Sequence, residues 1–109
     1  MGASATIENE VGGWDGVTKA PHRFGGIEFR LGRIELGHLH GDRFADLPFP
    51  KSTRDELIAS GRASVHQPLP NSGWVRRFIT DDGDVHEVIK LFRMNYERIT
   101  KRRAKSPQR

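Results

Sequence analysis

A chain of 109 residues can form one domain with a modest core, and the lack of cysteine excludes disulfides, thiolate nucleophiles and thiolate metal sites. The formal net charge of +4 is unevenly distributed, because six basic residues and no acid lie in the last twelve positions. We therefore expect no nucleic-acid partner, except weakly through this basic tail. No apolar run approaches the roughly 18 residues of a membrane span and no signal peptide is evident, so we expect no membrane partner and a cytoplasmic location.

The first residues predict a short helix. Ser4 is placed to cap it, Ile7 and Val11 lie one turn apart on one face, and the Gly12-Gly13 pair ends it. We assign residues 1–13 to this N-terminal segment and residues 14–100 to a single domain. The basic residues 101–109 have nothing to bury and are expected to form a disordered tail.

A β-hairpin follows. Ile27–Leu31 alternates apolar and charged residues, which is typical of a half-buried strand. Gly32-Arg33 predicts a tight turn into a second strand that begins at Ile34. Gly37 in this second strand is a candidate β-bulge, which would rotate the residues after it.

The second half of the chain alternates extended and helical patterns. Phe44–Phe49 is extended, Thr53 and Glu56 form a capping box for a short helix, and further extended segments cover residues 64–69 and 73–79. A closing helix carries the clearest apolar stripe of the chain, which is expected to pack on the sheet. The order of elements predicts an α+β fold, with an antiparallel sheet of about four to five strands and helices packed on one face.

The residues most able to do chemistry lie in the second strand. Because side chains of a strand alternate between its faces, Ile34, Leu36, His38, His40 and Asp42 are expected on one side. Two imidazoles and a carboxylate in such a row suit metal binding, proton transfer or the binding of a small anion. Histidines hydrogen-bonded to acids at a strand end are the purely structural alternative.

Several segments resemble a family of small bacterial proteins described as luciferase domain or luciferase family proteins. The segments that carry the resemblance are Trp14-Asp-Gly-Val-Thr, Phe24-Gly-Gly-Ile-Glu-Phe-Arg-Leu-Gly-Arg, Glu35-Leu-Gly-His-Leu-His-Gly-Asp-Arg, Ala45-Asp-Leu-Pro-Phe-Pro and Leu69-Pro-Asn-Ser-Gly-Trp74. The family is similar to the luciferase of bioluminescent fungi, which adds molecular oxygen to a hydroxylated pyrone. The order of elements from Leu47 to Tyr96 is also distantly similar to small α+β proteins of the MmcQ/YjbR type.

The resemblance implies an oxidoreductase of the oxygenase type that acts on a small aromatic or enolic compound without a cofactor, with molecular oxygen as co-substrate. The fungal enzyme has counterparts of Glu35, His38, His40, Gly73, Trp74 and Tyr96. As catalytic residues we predict His38, His40, Asp42 and Glu35. As substrate-binding residues we predict Arg33, Arg43, Trp74 and Arg76.

Two questions stay open at this point: whether the domain is an enzyme, and whether it binds a metal. The alternative to an enzyme is a non-catalytic module that binds a small molecule or a protein. No metal is predicted; if one is bound, its ligands are expected to be His38, His40 and Asp42, with Glu35 and His66 as other candidates for the third position. The sequence does not predict an oligomeric state.

Overall fold

The computed structural model describes residues 2–22 and 25–105. Its elements in chain order are α1 (Ala3–Gly12), β1 (Val17–Pro21), β2 (Ile27–Leu31), β3 (Ile34–His40), β4 (Phe44–Pro48), α2 (Lys51–Ala59), β5 (Ser64–Val65), β6 (Trp74–Phe78) and α3 (Asp82–Lys105). The strands form one antiparallel sheet in the order β1-β2-β3-β4-β6-β5. Helix α1 packs on α3 and β1, α3 packs on β3, β4 and β6, and α2 packs against β5 and β6. The predicted α+β class is confirmed.

The sheet has six strands where the sequence predicts four to five. The strand that was not expected is β1, whereas β5 falls within the extended segment expected at residues 64–69. Both lie at edges of the sheet, where each pairs on one side only. Strand β1 reads Val-Thr-Lys-Ala-Pro and has no buried residue, and β5 is two residues long. An edge strand that buries little has weak apolar alternation, so its sequence carries little signal.

The core lies between one face of the sheet and the helices. Phe29 of β2 meets Phe92 of α3 edge to face, with ring centroids 5.2 Å apart. The fully buried apolar side chains are Ile7, Val11, Phe29, Leu36, Leu39, Ala45, Leu47, Val75, Val88, Leu91, Phe92 and Ile99. The apolar stripe of the closing helix is therefore core, as predicted.

The helix ends differ in part from the prediction. Pro50 is the N-cap of α2 and makes no side-chain cap hydrogen bond, so the capping box predicted at Thr53 does not form. Helix α3 continues to Lys105, past the point at which the sequence analysis expects the tail to begin. Residues 106–109 of that tail lie outside the described residues, and the division of the chain into domains stays a prediction. No helix among residues 2–22 and 25–105 is both long and apolar enough to cross a membrane.

A β-bulge in β3 decides which way the histidines face. Phe29 pairs with Gly37 while its neighbour Arg30 pairs with Glu35, so Leu36 is the extra residue. A side chain at Gly37 would meet Phe92, and Leu36 is fully buried in the core, so both positions face the helices. Alternation then resumes. His38 therefore lies on the opposite face of the sheet from Leu36, and the expected single row from Ile34 to Asp42 is wrong.

Candidate functional site

The sheet face opposite the core carries a cluster of ionisable side chains. They come from β2, β3, β4 and β6 and from the loops after β1 and β5, and together they line a pocket of about 730 Å³. The lining residues are Pro21, His22, Glu28, Arg30, Glu35, His38, His40, Asp46, His66, Pro68, Leu69, Trp74 and Arg76. Polar groups converge on the pocket from the sheet, while Trp74, Leu69 and two prolines supply apolar walls.

Asp46 of β4 is the centre of this cluster. Its side chain is only 2% exposed. Arg76, its partner across β4 and β6, binds it in bidentate fashion, with Nε–Oδ1 at 2.7 Å and Nη2–Oδ2 at 2.9 Å. The Nε2 atoms of three imidazoles surround the same Oδ2, at 3.3 Å for His38, 3.5 Å for His40 and 3.3 Å for His66.

His38 is held from several sides. Its Nδ1 lies 2.7 Å from Oε2 of Glu35, and its Nε2 points to Asp46, so the imidazole bridges two carboxylates. The ring of His22 stacks on it with centroids 3.8 Å apart and planes 13° from parallel. Trp74 lies on another side, at a centroid distance of 5.4 Å. These contacts leave the ring one orientation.

Burial and charge act on these groups in opposite directions. Burial disfavours the charged form of His38, but the carboxylates of Asp46 and Glu35 outweigh it and raise its pKa to about 9. Burial, together with the nearby positive charge of His38 or Arg76, lowers the pKa values of His40 and His66. For Asp46, burial raises the pKa, but the contacts of its carboxylate with His38 and Arg76 hold it well below its usual range.

A second acid–imidazole pair borders the first. Nδ1 of His22 lies 3.0 Å from Oε1 of Glu28, and Arg30 contacts the other oxygen of that carboxylate. The hydrogen bond from His22 and the charge of Arg30 lower the pKa of Glu28, against the effect of burial. Glu28 is thereby held as a carboxylate in the lining of the pocket.

Two groups of side chains in the described part of the chain have the spacing of metal ligands. One is His38, His40 and Asp46, and the other is His22, Glu35 and His38. In each group, one ligand atom from every residue lies within 4.8 Å of the others. Imidazole and carboxylate together suit first-row transition metals.

A family model described as Luciferase domain matches residues 33–95, which is more than half of the chain. The chain belongs to the Luciferase domain family. No curated protein and no solved structure matches it. The matched residues include Asp46, the three imidazoles around its Oδ2 atom, Glu35, Trp74 and Arg76. His22, Glu28 and Arg30 lie before the matched residues. The more distant likeness to proteins of the MmcQ/YjbR type stays a prediction.

The structure brings together five of the eight side chains that the sequence analysis selected for this Luciferase domain protein. These five are Glu35, His38, His40, Trp74 and Arg76. Their roles in catalysis or binding stay predictions, but their proximity is a property of the fold.

The other three selected side chains do not line the pocket. Asp42 lies in the turn after β3, where its Oδ1 accepts a hydrogen bond of 2.7 Å from the backbone nitrogen of Ser4 at the start of α1. Arg43 lies in the same turn and Arg33 in the turn before β3, and both are exposed. The acid beside the histidines is therefore Asp46 and not Asp42, because the turn at 41–43 reverses the chain before Asp42 can continue the row.

The side chains that the selection missed come from other strands and loops. Asp46 pairs directly with His38 across β3 and β4. A three-residue turn after His40 implies this pairing, so the glycine at 41 was a usable signal. His22, and His66, which was considered only as a possible third metal ligand, reach the pocket from loops, and no spacing in the sequence relates them to the His38–His40 pair.

Proposed function

We propose that this Luciferase domain protein is an oxidoreductase that binds a small aromatic or enolic compound in the pocket around Asp46 and combines it with molecular oxygen. The observation that carries the proposal is the convergence of three imidazoles and Arg76 on one buried carboxylate. The apolar surfaces of Trp74 and Leu69 beside that cluster suit a planar ring.

The proposed reaction begins with loss of a proton from a hydroxyl group of the bound compound. The imidazole–carboxylate cluster accepts the proton, because histidine exchanges protons near neutral pH. A positive group next to Asp46 then holds the enolate oxygen, and Arg76 is the guanidinium placed to do so. Of the three arginines predicted to bind substrate, Arg33, Arg43 and Arg76, only Arg76 lines the pocket.

The enolate supplies the electrons for the next step. Its carbon forms a bond to one oxygen atom of molecular oxygen, which leaves the second oxygen atom with the negative charge of a peroxide anion. The proton held by the cluster then returns to that oxygen atom. The product is a hydroperoxide that contains every atom of the compound and of molecular oxygen. No further reductant enters this balance.

The test is oxygen consumption by the purified protein with a panel of 4-hydroxy-2-pyrones and polyhydroxyphenols. We expect turnover with at least one compound and a loss of at least about 100-fold in the double variant H38A/H40A, which is the scale of general acid–base catalysis. His86→Ala is the matched control, because His86 is exposed on α3 and lies outside the pocket. Binding of compounds without oxygen uptake would favour the binding module, and equal turnover in the double variant would refute the proposed site.

A further inference from the structure

The Oδ2 atom of Asp46 has more nitrogen neighbours than it can accept as hydrogen bonds. Nη2 of Arg76 lies at 2.9 Å, and three imidazole Nε2 atoms lie at 3.3–3.5 Å. A carboxylate oxygen offers about two lone-pair sites, and Arg76 takes one of them. The remaining site cannot accept hydrogen bonds from all three imidazoles at once, so at least one imidazole faces the buried carboxylate without a well-formed hydrogen bond.

The distances fit a shared cation better than direct hydrogen bonds. N–H···O hydrogen bonds usually span about 2.7–3.2 Å, which is shorter than the three imidazole contacts. Ligand atoms that bind one metal ion through bonds of about 2.0–2.1 Å lie roughly 2.8–3.0 Å apart at octahedral angles and roughly 3.3–3.4 Å apart at tetrahedral angles. The separations from Oδ2 to His38 and His40, 3.3 Å and 3.5 Å, are close to the tetrahedral value.

The orientation of His38 supports the same reading. A histidine that binds a metal through one ring nitrogen usually donates its other N–H to a carboxylate or carbonyl. Nδ1 of His38 lies 2.7 Å from Glu35, so the remaining nitrogen, Nε2, is the one that faces Asp46. Arg76 meanwhile holds Oδ1 of Asp46 at 2.7 Å. The carboxylate is thus fixed with Oδ2 toward the imidazoles.

We propose that His38, His40 and Asp46 bind a divalent first-row transition-metal ion, with Glu35 as the residue that positions His38. Two imidazoles and one carboxylate occupy one side of such an ion and leave its other positions open. In combination with the proposed function, on which this role rests, the open positions would receive the oxygen atom of the bound compound. Metal binding itself does not depend on that function and is measured without any substrate.

The experiment uses the full chain without an affinity tag, stripped with a chelator and then titrated with Co(II) and with Zn(II). Calorimetry gives the stoichiometry and the affinity, and the visible absorption of Co(II) reports nitrogen and oxygen coordination. We expect one ion per chain. We also expect a loss of at least about 100-fold in affinity for His40→Ala, and of about 10- to 100-fold for Glu35→Gln.

Two matched variants control the assignment. Asp46→Asn should abolish stoichiometric binding, whereas Asp42→Asn, which changes the acid nearest to the histidines in sequence, should leave the affinity within about twofold of wild type. Circular dichroism shows whether each variant is folded. Because Asp46→Asn leaves Arg76 without its partner, the partly exposed His40 provides the second variant if the first does not fold.

Each outcome counts for or against the metal site. Lack of stoichiometric binding by the wild-type protein, equal affinity in His40→Ala, or equal losses in the Asp42 and Asp46 variants would overturn it. Oxygen turnover by the metal-free protein would refute a catalytic ion but would leave the proposed function standing. Tight metal binding without turnover of any compound would leave the metal site standing and would count against the proposed function.

Discussion

The bulge at Leu36 is the feature on which the position of the site depends, and replacement of the adjacent Gly37 by alanine tests the packing around it. Gly37 has φ +151°, a conformation that other residues rarely adopt. An added Cβ would lie 2.8 Å from the carbonyl oxygen of Asp46, 2.9 Å from the ring of Phe92 and 3.0 Å from Leu47. Two of these neighbours belong to the core and one to the backbone of the next strand, so little can yield.

The expected cost combines two effects. An unfavourable backbone conformation costs on the order of 1–3 kcal/mol, and overpacking a core by one methyl group costs roughly 1–3 kcal/mol. We expect Gly37→Ala to lower the free energy of unfolding by about 3 kcal/mol, a large share of the roughly 5–15 kcal/mol of a typical domain. For a chain of this size that corresponds to a fall in Tm of about 15 °C.

Gly41→Ala is the control for the backbone effect alone. Gly41 also has a positive φ of +59°, but an added Cβ there meets nothing within 4 Å. We expect this variant to lose only about 1 kcal/mol. The assay is urea unfolding followed by circular dichroism, with equal m-values as the check that the two-state comparison holds. If both variants were equally stable, the close packing at Gly37 would be refuted.

Three further perturbations test how the site is supported. Asn95→Leu removes the amide that donates to two backbone carbonyls, those of Leu36 in the bulge and Pro48 at the end of β4. We expect the free energy of unfolding, measured in urea, to fall by about 2–4 kcal/mol. An unchanged free energy would contradict a stabilising role for this buried amide. Asp84 accepts hydrogen bonds from Thr80, and these bonds, with the charge of Arg77, hold its pKa well below the usual range. The stabilising effect of the Asp84 carboxylate is therefore complete above about pH 4 and is lost as the pH falls toward the folded-state pKa. The difference in free energy of unfolding between wild type and Asp84→Asn should accordingly narrow from pH 6 to pH 2. A constant difference would refute the lowered pKa. Tyr96→Phe should lower the free energy of unfolding by about 1 kcal/mol, because the hydroxyl donates to the backbone carbonyl of Asp15 at 2.6 Å. The Co(II) affinity should stay unchanged. A change in affinity would show that this tyrosine contributes to the pocket.

The sequence by itself determined the central hairpin, the closing helix and two of the imidazoles of the candidate site. Alternation in Ile27–Leu31 and the spacing of apolar residues in the closing helix identified the hairpin and α3, because those patterns report burial on one face directly. The His38–Leu39–His40 segment identified two side chains of the pocket, because two imidazoles on alternate positions share a face whichever face it is. The glycine inside the strand also signalled the bulge.

Only the tertiary structure decided which acid joins those imidazoles. The bulge moves His38 and His40 to the face opposite the core, and the turn at 41–43 removes Asp42 and brings Asp46 across from His38. Strand pairing places Arg76, which is 30 residues farther along the chain, beside Asp46. His22 and His66 contribute from loops. Strand register and loop paths depend on contacts between residues distant in sequence, whereas spacing reports only what a residue's neighbours along the chain will do.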